Sequence, residues 1–556
     1  MPAKGSKVGR KKSALRTAKK PRSGTWRAGR GGAAKRLVSQ SEGLAGSIFP
    51  EGDYETDVLI VGYGAAGANA AIAAHDAGAR VLIIEKMGFP GGNSGVCAGA
   101  MLIPESIEEA IRYYRALSFG TADEEMIRAF AEAMVGIPRL LTGLGAEFRV
   151  RRTEPAYFPS LLSGRVQRIQ FSPTGAEGFR FLQNLVQGRK VEVLMDTRAM
   201  VLIQHRQTRE VLGVKAERKG KEMTLLARRG VVLACGGYEY NPGMLADFNF
   251  PGATNYIFPW GTPGNTGDGI KLASEAGAAL WHMAAIEWGA FCARKPSQKF
   301  GMAVGTGLGR TRPEGSFVFV NRYGKRFMPE NTSLIHRKAP LEILFFDHER
   351  AEYRNLPAYM IFDEAYRRKG PIASTLEHFQ EMWGGPVGYP MIHNIYEWSS
   401  DNQVEIDKGW VFQADTLADL AAKIGGDAAA LEETIRNFNR ACMESRDPQF
   451  GRTGKSLAPL ETSPYYAVEL ALTLVNTQGG PRHNKDCQVL DSSDKAIPRL
   501  YAAGELGSFF GFLYQGGSNY PEALAFGQIA GRRAAAETPW GKQKSKGRGS
   551  FRMKAI

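Results

Sequence analysis

No run of apolar residues approaches the roughly 20 needed to cross a bilayer as a helix, so the sequence is read as having no transmembrane segment. The five cysteines, Cys97, Cys235, Cys292, Cys442 and Cys487, lie far apart, with no CxxC or CxxCH among them. That pattern argues against a disulfide scaffold, a c-type haem attachment and a structural zinc site. The eight histidines show no HxxxH spacing either. A reducing, cytoplasmic setting without a metal is the expectation. Acids are missing from the two ends: residues 1–40 carry 13 Lys plus Arg and residues 541–556 carry 6, with no Asp or Glu in either stretch. The formal charge of +15 therefore belongs to the ends, because the body between them holds 52 bases against 56 acids. A mildly acidic body without a recognition motif argues against a specific nucleic-acid partner. Residues 1–44 and 541–556 read as basic tails with little to bury, the first of them disordered and lacking the apolar stretch of a secretory signal. A transit-like segment, a polyanion-adhesive tail and a plain solvated tail all fit that composition.

Glycine, by contrast, is abundant, with 66 residues in 556. The apolar run Asp57 to Val61 leads into Gly62-Tyr63-Gly64-Ala65-Ala66-Gly67, then an Ala-rich stretch to Ala77, a second run Arg80 to Ile84, and Glu85. Strand, glycine turn, helix, strand and acid, in that order and over about 20 residues, are what a dinucleotide-binding βαβ unit requires. Gly62 makes the tight turn, Gly64 lets the backbone approach a pyrophosphate, and Gly67 lets helix and strand pack closely. The helix N-terminus then faces the phosphates, and Glu85 can accept hydrogen bonds from the adenosine ribose. Helical patterns follow at Glu105 to Ser118 and Glu124 to Leu144, and β-like runs at Val191 to Met195 and Arg198 to Gln204. Gly230 to Gly237 is another apolar run ending in glycines, and Gly264 to Gly269 opens a helix. Residues 291–462 are richer in charge and aromatics and carry no nucleotide signature. The glycine style returns at Thr477-Gln478-Gly479-Gly480 and Leu500 to Glu505, ahead of a helix from about Pro521 to Ala536. One nucleotide-binding domain (52–290 and 463–540) interrupted by an inserted domain (291–462) accounts for this order.

Over residues 52–538 the chain resembles the flavoproteins related to fumarate reductase and succinate dehydrogenase, a group that includes 3-ketosteroid dehydrogenases and urocanate reductase. The motifs carrying the resemblance are GYGAAG at 62–67, EKMGFPGGNSGVCAGA at 85–100, VVLACGGYEYN at 231–241, GNTGDGI at 264–270, FVNRYGKRFMPEN at 319–331, NTQGG at 476–480, LYAAGE, YQGG and FGQIAG. It implies an α/β fold, a Rossmann-like FAD-binding domain with an inserted α+β capping domain that closes over a small-molecule substrate. It assigns FAD contacts to Gly62, Gly64, Ala65, Ala66, Gly67, Glu85, Lys86, Gly92, Asn93, Ser94, Gly99 and Ala100. Further contacts fall on Ala199, Gly237, Asp268, Gly504 and Glu505, and on Ser518, Asn519 and Tyr520 beside the flavin ring. Asn93 and Ser94 stand where covalently flavinylated members carry a histidine, so the resemblance implies non-covalent FAD. No haem module or FMN domain accompanies it, and electrons are expected to pass to or from a separate partner.

The departures from the family pattern are as informative as the matches. Leu334 stands where dicarboxylate reductases carry the proton-donating arginine, Tyr514 replaces the carboxylate-clamping arginine, Asn476 replaces a histidine, and the proton-relay Glu and Arg fall on Arg310 and Pro313. Arg326 and Glu330 are expected to form a structural ion pair near a turn. A flavin that moves a hydride at one carbon leaves the neighbouring carbon to gain or lose a proton, and a conjugated carbonyl needs a hydrogen-bond donor. Tyr514 matches the position of such a tyrosine in 3-ketosteroid dehydrogenases. Its neighbours Phe509, Phe510, Phe512 and Leu513 suit an apolar substrate or ordinary core packing. His336 and Arg337 are candidates for a displaced proton donor, and Arg482 and His483 for contacts to substrate or flavin. The resemblance thus implies an FAD-dependent oxidoreductase that desaturates or reduces a carbon–carbon bond conjugated to a carbonyl in a hydrophobic, ketosteroid-like or cyclic enone substrate. The alternative is a carboxylate-substrate reductase, of the fumarate or urocanate kind, with its arginine relocated to Arg310, Arg312 or Arg337.

Overall fold

The computed structural model describes residues 51–541 apart from 156, 163–165, 172–174, 297–299, 310–311, 331–341 and 376–395. The two basic tails, His336 and Arg337, and also Leu334 and Arg310, lie outside the described residues.

The first sheet is built on β1 (Tyr54–Val61), whose last four residues Val58 to Val61 are all buried, as expected of a strand covered on both faces. It pairs in parallel with β2 (Val81–Ile84), which pairs in parallel with β6 (Glu192–Leu194). On its other side lies β9 (Lys221–Leu233), followed in parallel by β18 (Ala496–Ala502), with β17 (Gln488–Leu490) antiparallel at the edge. An antiparallel extension of β7 (Thr197–Gln204) and β8 (Val211–Arg218) hangs from β9. Helix α1 (Ala65–Asp76) follows β1 and packs against α7 (Asn519–Ala536), the last helix among the described residues. Two glycines of α7, one turn apart, set that distance: a Cβ on Gly527 would stand 2.6 Å from the Ala66 carbonyl oxygen, and one on Gly531 would overlap the carbonyl of Ala70.

A second sheet runs β12 (Val304–Leu308), β11 (Ile286–Ala293), β16 (Tyr465–Thr477), β14 (Ala358–Asp363), β13 (Phe317–Asn321). Strand β16 also pairs in parallel with β10 (Ile257–Pro259) and antiparallel with β15 (Val411–Ala414). Residue 290 thus falls inside β11, and the sheet draws strands from both sides of that position. Against this sheet lies α6 (Ala428–Met443), with Leu431, Ile435 and Phe438 buried beside Val318 and Ile361. Arg326 is sandwiched here between Glu330 (2.7 Å) and Asp447 (2.8 Å), and Arg452 reaches Glu330 at 3.1 Å, all of them buried. The ion pair expected from the sequence is one edge of this four-membered network.

A third, three-stranded antiparallel sheet orders β3 (Ala100–Ile103), β5 (Val166–Phe171) and β4 (Phe148–Thr153). After β3 the chain forms α2 (Ile107–Ser118) and α3 (Glu124–Val135), which pack on each other, α3 also against α7. They are capped by the side chains of Ser106 and Asp123, which accept from the N–H groups of Glu109 and Met126. The helix read over Glu124 to Leu144 is two helices: α3 stops at Gly136, and α4 (Ile137–Gly143) restarts with Pro138 in its first turn. A proline has no N–H to continue the ladder but is tolerated where a helix begins. Among the described residues no helix is long and apolar enough to cross a membrane, and no group of His, Cys, Asp and Glu could hold a metal ion. All five cysteines are free.

Candidate active site

A cavity of about 930 Å³ opens at the carboxyl ends of β1, β2, β9 and β18, and is walled by the face of the third sheet and by residues of the second. That is where an open parallel sheet binds its ligand. At its inner end Gly62 turns the chain with φ +107°, and a Cβ there would overlap the Ala234 carbonyl oxygen. Gly64, with only ordinary contacts around a notional Cβ, faces the opening. The N-terminus of α1 follows, with the Ala65 N–H donating to Ser94 Oγ at 3.1 Å. Glu85 ends β2. Its carboxylate accepts the N–H groups of Tyr63 and Met87, both at 2.9 Å, and burial nevertheless pushes its pKa up.

Lys86 donates to Asp268 at 2.9 Å and Arg198 pairs with the same carboxylate at 3.0 Å. Burial opposes ionisation of Asp268, but these two cations outweigh it and hold its pKa below the usual carboxylate range. Asp268 opens α5 (Asp268–Glu275), as the GNTGDG spacing predicts. Across the cavity Asn93 ties two carboxyl groups together: its amide donates to Glu239 at 2.8 Å and to Glu505 at 2.9 Å, while its oxygen accepts the Thr262 N–H. Asn265 supports Glu239 and Asn476 supports Glu505, each at 2.7 Å. Burial pushes Glu239 to about 8 and Glu505 to about 7, and Glu522, which accepts from Ser508 and the Phe509 N–H, to about 8.

These carboxyls bind protons in the folded chain that the unfolded chain releases above its ordinary value of 4.5. Their contribution is therefore full below that value and is lost as pH rises through the folded values. His282 and His483, whose pKa values burial lowers, contribute in the opposite sense over the same interval. The test is therefore a comparison: in the FAD-free protein Glu239→Gln should lose less melting temperature than wild type between about pH 5 and pH 8. The same pH dependence in Glu239→Gln and wild type would contradict the assignment.

The segment from Tyr514 to Gly517 forms one side of the cavity. The phenol oxygen of Tyr514 accepts the N–H groups of Gly517, Ser518 and Asn519 at 3.2, 3.3 and 3.3 Å, which makes this side chain the cap of α7. Burial raises its pKa well above the ordinary tyrosine value, so the phenol stays neutral. Asn519 is held by Gln478 and Glu522.

Of the FAD contacts assigned from the sequence, all line the cavity except Gly67, Gly237 and Ser518. Gly67 lies behind the turn, where its Cβ would overlap the Gly62 carbonyl, and Gly237 packs against Thr477. Ser518 is fully buried with its hydroxyl 3.0 Å from that of Tyr114. The structure corrects the reading of several other residues. Phe509 and Phe510 do not face the cavity but pack against Tyr114 and Phe130, and Phe512 lies exposed against Phe119. Arg482 pairs with Asp494 at 2.7 Å, and His483 is buried edge-on to Trp281 and Phe526, so neither lines the cavity. Arg312 lays its guanidinium over the ring of Tyr366 at 4.3 Å, also away from the cavity. Residues the sequence reading missed are Glu239, which sits inside a quoted motif, and Trp260, Trp288, Arg151 and Arg168, which sit in none.

Residues 57–520 match the FAD binding domain family. Among curated proteins the chain is similar to the NADH:fumarate oxidoreductase of Klebsiella pneumoniae, 27% identical over 522 residues that cover 90% of this chain and 50% of that one. It is 28% identical over 509 residues to the urocanate reductase of Eggerthella lenta, covering 88% and 76%. The chain thus spans half the length of the first relative and about three quarters of the second. Among solved structures, the 3-ketosteroid delta1-dehydrogenase of Sterolibacterium denitrificans superposes with a TM-score of 0.69 at 24% identity, over 87% of this chain and 99% of that one.

Proposed function

The chain belongs to the FAD-binding-domain family of flavoproteins, and on that footing we propose that it is an FAD-dependent oxidoreductase. Its reaction is the desaturation or reduction of a carbon–carbon bond conjugated to a carbonyl in a hydrophobic, ketosteroid-like or cyclic enone substrate. The cavity suits FAD in its donor set and its shape. Gly64 leaves backbone room for the phosphates at the N-terminus of α1, Glu85 stands at the end of β2 where it would accept from the ribose, and Asn93, Glu505 and Asn519 line the far part with polar atoms. When bound, FAD supplies the acceptor or donor of a hydride.

The observation that carries the substrate reading is Tyr514: a neutral phenol in the cavity wall, where a dicarboxylate reductase needs a cation. Its oxygen is fixed by three backbone N–H groups, and a neutral phenol can polarise a carbonyl without the desolvation cost of a buried charge. Leu102 and Trp288 add apolar surface that excludes water. In this reading residues 291–462 form the cap over the substrate, and a separate protein or small molecule exchanges the electrons.

Anaerobic stopped-flow mixing of the oxidised and the reduced protein with ketosteroids, cyclic enones and fumarate tests the reading. Flavin absorbance should respond to a ketone, and fumarate should turn over far below the ~10 per second typical of enzymes. Fast fumarate turnover without a response to any ketone would overturn it. Attachment of FAD is non-covalent in this proposal, because Asn93 and Ser94 are committed to Glu239, Glu505 and Ala65 and neither is a histidine. Acid precipitation should release all the flavin into the supernatant; a yellow pellet would contradict it.

A further inference from the structure

The third sheet turns one face to the cavity: Ala100 and Leu102 of β3, Arg168 and Gln170 of β5, and Arg151 and Thr153 of β4 all line it. The register sets Arg151 directly opposite Arg168. Two like charges at facing cross-strand positions repel each other, and a sheet does not gain from the pairing unless something neutralises it. The neighbouring Arg152, on the other face, has its acid, Glu105 at 2.7 Å. Among the described residues no carboxylate pairs with Arg151 or Arg168, and the Nε of Arg168 is buried without a hydrogen-bond partner. Burial, and then the charge of Arg151, lowers the pKa of Arg168, so its charge is exposed to little compensation.

The location separates this pair from the cofactor's phosphates, whose place is the N-terminus of α1. Leu102, opposite Arg168 on β3, donates its N–H to the Gly517 carbonyl at 2.9 Å, so the Tyr514 to Gly517 segment flanks the free edge of β3, with Arg168 one strand and Arg151 two strands further across the same face. Gln170, opposite Ala100, reaches the Ala98 carbonyl at 3.3 Å, so the pair stands beyond the Gly99–Ala100 bend, on the wall that continues past it.

We propose that Arg151 and Arg168 form an anion site that takes a carboxylate of the substrate while Tyr514 takes its carbonyl. The inference deepens the proposed function and rests on the cavity being the substrate site. It narrows the substrate class to cyclic or polycyclic ketones that carry an acid remote from the reacting bond. Two guanidinium forks offer parallel N–H donors that match the two oxygens of a carboxylate.

The test uses the FAD-loaded full chain and isothermal titration with benzoate and with its uncharged counterpart benzamide. Benzoate should bind the more tightly. Arg168→Met and Arg151→Met should each weaken benzoate about tenfold to a hundredfold, leave benzamide unchanged and retain a full complement of FAD, and Arg168→Lys should fall between. Since Arg151 is exposed, its variant should fold even if the other does not. Equal affinity for benzoate and benzamide, or variants that bind benzoate as the wild type does, would overturn the site. Variants that lose FAD while keeping their affinity for benzoate would also overturn it, by assigning the pair to the cofactor's phosphates. A second arm compares turnover of a cyclohexanone bearing a ring carboxylate with that of its methyl ester. Arginine-dependent benzoate binding without turnover of any ketone leaves the anion site standing and refutes the redox reading; equal turnover of acid and ester refutes the anion site alone.

Discussion

Tyr514→Phe should slow turnover roughly 100-fold, the scale of a lost oxyanion or acid donor. The structure adds a second effect that the sequence does not suggest. From the sequence a phenylalanine here is expected to keep the packing and the stability, because only a hydroxyl is removed. The hydroxyl, however, accepts three N–H groups at the start of α7. Without it these donors lose their acceptor in a buried place, at a cost of about 1–3 kcal/mol. The variant should therefore melt at a lower temperature and also work more slowly. The two effects are separable: a cap alone would lower stability while turnover per FAD-loaded molecule stayed near wild type, and that result would assign the residue to structure and remove it from the chemistry.

Gly62→Ala should abolish FAD binding and destabilise the protein by about 1–3 kcal/mol or more, because strain and overlap act together. The residue sits at φ +107°, which an alanine rarely adopts, and its Cβ would overlap the Ala234 carbonyl oxygen and lie 2.8 Å from the carbonyl carbon. Both groups belong to strand ends fixed in the parallel sheet, so neither can withdraw cheaply. Gly64→Ala is the control. There φ is −91° and the nearest atoms to a Cβ stand 3.6 and 3.7 Å away, so the fold should survive. Its methyl group would project toward the phosphate place, and FAD affinity alone should fall. Equal flavin content in the Gly62 variant and the wild type, measured by absorbance, would refute the reading of this turn.

The βαβ unit and its glycine turns were legible in the sequence because their physics is local: spacing, φ and close approach are written in consecutive residues. The split at Gly136 and Pro138 was also written there, and the apolar period across it hid the break. What the sequence could not expose depends on pairing between distant segments. Arg151 and Arg168 meet only because β4 and β5 pair in one register, and a shift by one residue would turn Arg168 to the opposite face. Phe509 and Phe510 suited a substrate wall and ordinary core packing equally, because an aromatic run carries no sign of direction. Their burial against Tyr114 and Phe130 is decided by α2 and α3. Glu239 was quoted inside a motif, yet its role emerges only when Asn93, 146 residues earlier, reaches both it and Glu505.

The packing of α1 on α7 has a consequence for how the chain is made. On a ribosome the nucleotide-binding strand and α1 emerge early, but the face of α1 built from Ala66 and Ala70 has no cover until residues 519–536 have been synthesised. The parallel partner of β9, strand β18, arrives equally late. At about 5–20 residues per second that interval lasts tens of seconds, during which apolar surface and an open strand edge stay exposed. The first element of the fold is thus among the last to be completed: release of the chain short of β18 leaves β9 with an unprotected edge, the form most prone to pair with other chains, and release short of α7 leaves the face of α1 uncovered.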